Sequence, residues 1–206
     1  MTDYTDSHGK RLTDYPRPSV AVDTAVLTVR DGILSIALAD TEGGRRLPGT
    51  FLHEGETLAE AVRRSLEVKV GIRGLVPQQL HVFDAPGRDS RGWVLSVAHL
   101  LAVRSDAIED VELVPVTDAV GLAFDHDEIV RLALTRLREL HREHPDPCGL
   151  LGEEFTLLEL QRLHEAINPE TPKRDTFRRA MLPLLVETGE IRQHTVGKPA
   201  RLFRHA

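Results

Sequence analysis

Apolar positions along this chain follow two rhythms, one suited to strands and one to helices. Ser19 to Val29 is rich in β-branched residues and partly alternates; Arg30-Asp31-Gly32 can turn the chain, and Ile33 to Ala39 follows. This pattern predicts a β-hairpin with an Asp-Gly turn. A polar, glycine-bearing loop, Asp40 to Arg46, comes next. Leu58, Ala61, Val62, Leu66 and Val70 then recur at helical spacing and define one apolar face. Thr57, with Glu60 three residues on, supplies a capping box, and Gly71 stands where a left-handed C-cap belongs. Further strands are expected at Gln79 to Phe83 and Gly92 to Val103, joined by the loop Asp84 to Arg91, with a short edge segment at Val114 to Asp118. Ile129, Leu132, Ala133, Leu137 and Leu140 predict a long helix over Asp127 to His144.

Pro145-Asp-Pro-Cys-Gly149 breaks that helix, and the domain boundary is expected there. A second module follows. Thr156 and Glu159 form another capping box, and Phe155 can staple onto Leu160. Leu157, Leu160, Leu163 and Ile167 line one helix face, which Asn168-Pro169 ends. Pro172 is expected at the first position of another helix, running to about Leu182 before Pro183. Phe177, Met181 and Ala180 are expected to face inward there. Leu184 to Thr188 reads as extended and Gly189-Glu190 as a turn. Ile191 to Val196 and Ala200 to Phe203 read as a hairpin around Gly197-Lys198-Pro199. Helix, turn, basic helix, basic hairpin is the order of a winged helix-turn-helix, whose second helix enters the DNA major groove.

Charge sharpens that picture. The 206 residues carry a net charge of −6, but from Thr171 to Ala206 there are eight Lys/Arg against three Asp/Glu. A basic end on an acidic body suits a module that meets a polyanion, and equally a solvated charged tail. The candidate DNA contacts are Lys173, Arg174, Thr176, Arg178, Arg179, Arg192, His194, Lys198 and Arg201, with Asp175 as an acidic intruder. The alternative for such a module is a protein-interaction role. The hydrophobic fraction of 41% suffices for a sizeable core. Cys148 is the one cysteine, which rules out a disulfide within the chain and fits a reducing cytoplasm. No apolar run approaches the ~20 residues of a membrane span. Residues 1–14 are polar, lack the apolar core of a signal peptide, and are expected as a disordered arm. His141 and His144 suit the end of the long helix, where positive charge favours the dipole.

The first helix carries the chemistry-bearing motif. Leu47-Pro-Gly-Thr-Phe-Leu-His-Glu-Gly-Glu56, with Arg64, Leu66, Gly71 and Ile72, resembles the Nudix box, G-x5-E-x7-R-E-U-x-E-E-x-G-U, in which U is a bulky aliphatic. Thr50 stands at its opening glycine, and Ser65, Val68 and Lys69 stand at its last three glutamates. In that family those carboxylates hold a divalent cation, which needs oxygen ligands and activates water while neutralising phosphates. Serine is a poor ligand, valine is none and lysine repels the ion.

Together the two modules resemble the Nudix-related transcriptional regulators (NrtR) of bacteria. Tyr15-Pro-Arg-Pro-Ser-Val20, the altered box, Leu150 to Leu160, Thr176-Phe-Arg-Arg179 and Lys198 to Phe203 carry the resemblance, which spans nearly all of the chain after residue 14. It implies an α/β fold: a Nudix α/β/α sandwich over 15–147, then a winged helix-turn-helix over 148–206. It also implies a homodimeric repressor of NAD-related genes that reads a palindromic operator and binds ADP-ribose or a related nucleotide in the Nudix pocket. Arg45, Arg46, Gly49, Glu56, Arg64 and Lys69 are the candidate ligand-binding residues; Lys69 and the arginines could draw a diphosphate without magnesium, and Arg64 could instead serve a structural salt bridge. No cofactor and no metal site are expected. The competing reading is a Nudix hydrolase using Glu56, Glu60 and Glu67. Glu60 and Glu67 are seven residues apart, ~10.5 Å along a straight helix, which is awkward for sharing one ion.

Overall fold

The computed structural model describes residues 5–108, 111–192 and 199–205. Strand β1 (Ser19–Arg30) pairs antiparallel with β2 (Ile33–Leu38), Arg30 opposite Ile33. The two residues between them, Asp31 and Gly32, both have positive φ, 53° and 76°. A two-residue hairpin turn that follows strand twist requires this, and Asp-Gly tolerates it. Short β3 (Gly49–Phe51), absent from the sequence expectation, pairs with β1.

Helix α1 (Leu58–Val70) begins and ends as expected. The Glu60 N–H donates to the Thr57 hydroxyl, and the Thr57 N–H donates to the Glu60 carboxylate. Gly71, at φ 67°, closes the helix in the left-handed region. Strand β4 (Gln78–Phe83) and β5 (Val94–Ala102) follow, then β6 (Glu112–Pro115) and helix α2 (His126–Glu143). The sheet order is β4-β5-β1-β2-β6, with β1 and β5 parallel.

Eight consecutive residues of β1 are buried because both sheet faces are covered. On one face Val22, Val26, Ala37 and Val97 pack with Ala61, Val62, Leu66 and Val70 of α1. On the other, Ala25, Leu27, Ile36 and Leu100 pack with Ile129, Ala133 and Leu137 of α2. This is an α/β/α sandwich.

The second module comprises β7 (Phe155–Thr156), α3 (Leu157–Ile167), α4 (Arg174–Met181), β8 (Leu185–Arg192) and β9 (Ala200–His205), with strand order β7-β9-β8. Its own core is Phe155, Leu160, Phe177, Met181 and Phe203. Leu163 and Ile167 of α3 instead join the sandwich core beside α2. The apolar interior therefore runs on past the Pro145–Gly149 break.

Three expectations need correction. Pro172 is not the first residue of α4: the helix starts at Arg174, capped by Lys173. The Thr171 hydroxyl donates to the carbonyls of His164 and Asn168, which pins the chain to the end of α3 and leaves Lys173 extended. Gly189-Glu190 does not reverse the chain. It makes an irregularity in a continuous β8, where register shifts between Glu187 and Ile191 and Gly189 takes φ 83°. Residues 5–14, expected as a disordered arm, carry a local turn: Thr5 bridges Arg11, a 3-10 turn spans Leu12–Asp14, and the Tyr15 hydroxyl donates to Asp6.

Candidate ligand pocket and DNA-contacting face

A cavity opens where β1, β3, the 88–91 loop and the start of α2 converge. Its walls include Asp23, Arg46, Gly49, Thr50, Phe51, Lys69, Arg88, Asp89, Arg91, Phe124 and His126. Gly49 lets β3 come this close to β1. A Cβ there would lie 2.0 Å from Asp23 Oδ1 and 2.8 Å from the Val22 carbonyl oxygen.

Asp23 is a carboxylate in a buried strand, and its partners explain how it is tolerated. Ser96 donates its hydroxyl to Oδ2, and His126 Nε2 lies 3.5 Å from Oδ1. The Leu47 N–H donates to His126 Nδ1 at 2.9 Å. Nδ1 is therefore the acceptor, and the imidazole proton sits on Nε2, facing Asp23. Burial pushes the Asp23 carboxyl up, but His126, Ser96 and the Arg88 charge together outweigh it and hold it below its ordinary value.

Two arginines on the 88–91 loop are anchored differently. Arg88, its side chain 4% exposed, makes a bidentate pair with Asp125, Nε to Oδ2 at 2.7 Å. Arg91 pairs bidentately with Asp89, whose carboxylate is buried. The hydrogen bonds from Arg91 lower the Asp89 carboxyl below its ordinary value despite the opposing effect of burial. The Arg91 guanidinium also lies 5.2 Å from the Phe51 ring centre and 4.9 Å from that of Phe124. Phe124 sits at φ 59°, in the left-handed region. For a bulky side chain that backbone costs about 1–3 kcal/mol, and such strain concentrates at functional sites.

The cavity wall carries four cationic side chains, Arg46, Lys69, Arg88 and Arg91, against two carboxylates, Asp23 and Asp89. Among the described residues Arg46 and Lys69 have no ion-pair partner. The wall can therefore attract an anion.

Not every expected ligand residue belongs to it. Arg46, Gly49 and Lys69 line the cavity. Arg45 turns away to Glu112 at 2.6 Å. Arg64 is tied down by Glu56 at 2.8 Å, the Thr50 hydroxyl and the Phe51 carbonyl. Its guanidinium holds the Glu56 carboxyl down to about 2. Of the two roles open to Arg64, the geometry is the structural one. Asp23, Arg88, Asp89, Arg91, Phe124 and His126 were missed. A carboxylate within a β-branched run was a usable signal for Asp23; the others depend on loop paths that periodicity does not encode.

The three glutamates of the hydrolase reading are not free to share a divalent cation. Glu56 is committed to Arg64, Glu60 to the α1 cap and Glu67 to Arg73 at 2.8 Å. Among the described residues no group of three His, Cys, Asp or Glu has metal-holding geometry.

On the second module, Arg174, Thr176, Arg178 and Arg179 stand exposed on α4 over buried Phe177 and Met181, and Lys173 stands exposed at its cap. Arg192 is drawn back instead, to the Glu159 carboxylate at 2.5 Å and the Glu154 carbonyl at 3.2 Å. Arg201 is exposed and pairs with Glu187 at 3.2 Å. His194 and Lys198 lie outside the described residues.

A histidine pair joins the two modules. His141, on α2, is buried and donates Nδ1–H to the Leu137 carbonyl at 2.9 Å. Its Nε2 has no hydrogen-bond partner and lies 3.9 Å from Asp146 Oδ1. Its ring meets that of His164 on α3, which meets Phe177 on α4, at 5.5 and 5.0 Å between centres. Burial pushes both imidazoles below their ordinary value. His141 is thus no charged helix cap.

A Nudix-type sandwich with a cationic cavity, continuous with a winged helix whose basic helix is exposed, defines a class: regulators that join a nucleotide-binding fold to a DNA reader. Residues 147–205 match the family described as the NrtR DNA-binding winged helix domain. The chain is 31% identical to the ADPR responsive transcriptional repressor NtrR of Acinetobacter baylyi, over 94% of this chain and 84% of that protein. It belongs to the NrtR family of transcriptional regulators. The Shewanella oneidensis NrtR solved with a 27mer DNA superposes with a TM-score of 0.76 at 30% identity, covering 91% of this chain and 93% of that one. The NUDIX domain of that protein, solved with ADP ribose, gives 0.55 at 25% identity over 63% and 95%. The chain is also 33% identical to an ADP-ribose pyrophosphatase of Methanocaldococcus jannaschii, over 59% of this chain and 76% of that enzyme.

Proposed function

We propose that this chain is a transcriptional repressor of NAD-metabolism genes that binds ADP-ribose, or a related nucleotide, without hydrolysing it. Residues 15–147 sense the ligand and pair two copies; residues 148–206 read DNA. Two copies related by a two-fold axis present two α4 helices to the half-sites of a palindrome. The carrying observation is the pocket wall: Arg46 and Lys69 stand unpaired beside a motif whose Glu56, Glu60 and Glu67 are engaged elsewhere.

A physical connection between the two activities supports this reading. Helix α2 spans about 27 Å at 1.5 Å per residue. Its first residue, His126, holds Asp23 in the pocket, and its last turns hold His141 against His164 and thence Phe177 under α4. A ligand that favours the poorly DNA-binding arrangement lowers operator affinity by its differential binding free energy.

Selection of bound DNA from a random pool, followed by gel shifts with ADP-ribose in the presence and absence of magnesium, tests the proposal. A palindromic site released by ADP-ribose in both conditions is expected; a non-palindromic or absent site overturns it. Hydrolysis is the second reading, favoured by the identity to the pyrophosphatase. Phosphate-bearing products from ADP-ribose at sub-stoichiometric enzyme would establish it.

A further inference from the structure

The anion-attracting side of the pocket leaves its mouth unexplained. Phe51 and Phe124 both line the cavity and are 37% and 40% exposed. They come from separate elements, β3 and the turn before α2, and Phe124 is held there on a left-handed backbone that a phenylalanine does not favour. Neither belongs to an apolar core cluster. Phe124 touches the His126 ring, but both phenylalanines leave more than a third of their surface open on a polar cavity, and ligand cavities characteristically pair such rings with a few polar anchors.

What lies between the rings is informative. The Arg91 guanidinium is a flat, cationic, delocalised group, about 5 Å from each ring centre. It is steered there by the buried Asp89 carboxylate, which takes both its Nε and Nη2 hydrogens. A guanidinium favours an aromatic face for the same reasons a nucleobase does: planarity, polarisability and edge hydrogen bonds.

We infer that Phe51 and Phe124 form the seat for the planar base of a nucleoside diphosphate ligand, and that the Arg91 guanidinium occupies this seat in its place. This rests on the ligand reading above and adds which part of the ligand binds where. The base stacks on the rings and the phosphates lie toward Arg46 and Lys69. Arg91, released from the rings, remains on a loop beside the phosphates and adds a further cation. Recognition is then divided: the rings read the base, and the cations read the diphosphate.

Calorimetric titration of the full chain with ADP-ribose and with ribose 5-phosphate separates the two parts. Phe124→Leu should weaken ADP-ribose at least tenfold and ribose 5-phosphate less than twofold, with an unchanged melting temperature. Phe124→Trp, which keeps a ring, should retain ADP-ribose binding to within a few-fold. Lys69→Ala should weaken both ligands together. Equal binding of ADP-ribose by wild type and Phe124→Leu overturns the seat, as does a loss on Phe124→Leu shared by both ligands. Wild type that binds ribose 5-phosphate as tightly as ADP-ribose also overturns it, while leaving the anion pocket standing. Wild type that binds neither removes the ligand reading and the seat with it.

Discussion

Asp23 and Gly49 show how much a single position decides in this protein. The carboxylate is kept charged inside a strand by Ser96 and His126, and the glycine across from it leaves room for its Oδ1. Gly49→Ala forces a methyl group into that oxygen and the Val22 carbonyl, so β3 must shift. The expected cost is about 1–3 kcal/mol of stability, as for overpacked sites, with weakened ADP-ribose binding; thermal denaturation and calorimetry read the two effects. The sequence motif contained Gly49 but not the reason for it, because Asp23 is 26 positions away and meets it only through strand pairing. Arg64 behaves oppositely. A structural salt bridge was one of the two roles open to Arg64 from the motif, and the structure supplies its partners: Glu56, the Thr50 hydroxyl and the Phe51 carbonyl.

Among the elements, α1 and the β1–β2 hairpin were legible because their signals are local. A capping box, a C-cap glycine and an Asp-Gly turn act within a few residues. The start of α4 and the path of β8 were misread because contacts from elsewhere override local preference. Thr171 is anchored to the end of α3, and β9 pairs with β8 on both sides of the irregularity at Gly189. The role of His141 on α2 was also hidden, since a helix-end position says nothing about burial against another helix. It carries a consequence for pH. Its imidazole, like that of His164, is pushed below the ordinary value of 6.5 when folded. Below pH 6.5 the unfolded chain then binds more protons than the folded one, so stability falls as pH drops toward the folded-state value. His141→Leu should flatten the dependence of unfolding free energy on pH in that window. For one proton the change in slope is at most about 1.4 kcal/mol per pH unit. Chemical denaturation at pH 7.5, 6.5 and 5.5 measures it, and an unchanged slope would show that His141 does not titrate there.

For the whole molecule, the separation of charge matters most. Arg174 and Arg178 stand exposed on α4 and form no ion pair among the described residues, whereas Arg192 is drawn back by Glu159. Arg174→Ala or Arg178→Ala should each cost about 1–3 kcal/mol on the selected operator if the side chain reads a base. If it meets phosphate instead, the salt dependence flattens by about one unit of slope. Arg192→Ala should leave operator affinity nearly unchanged and lower the melting temperature instead, because its partners belong to this chain. Gel shifts over a salt series, with melting curves for each variant, distinguish the three outcomes. A loss of DNA binding in Arg192→Ala without a melting change would mean that the arginine leaves Glu159 on the operator.

By itself the sequence determined the two-module order, most element positions, the departures from the Nudix box at Thr50, Ser65, Val68 and Lys69, and the basic character of α4. All of these follow from periodicity, capping and residue chemistry over short distances. Tertiary structure alone brought Asp23, Arg88, Asp89, Arg91, Phe124 and His126 into the pocket, from segments up to about a hundred residues apart. It also decided that α3 shares its apolar face between two cores, and which cations remain unpaired. The physical reason is one of range. Backbone propensity acts over a helical turn, while burial, ion pairing and ring contact act between any surfaces that folding brings together.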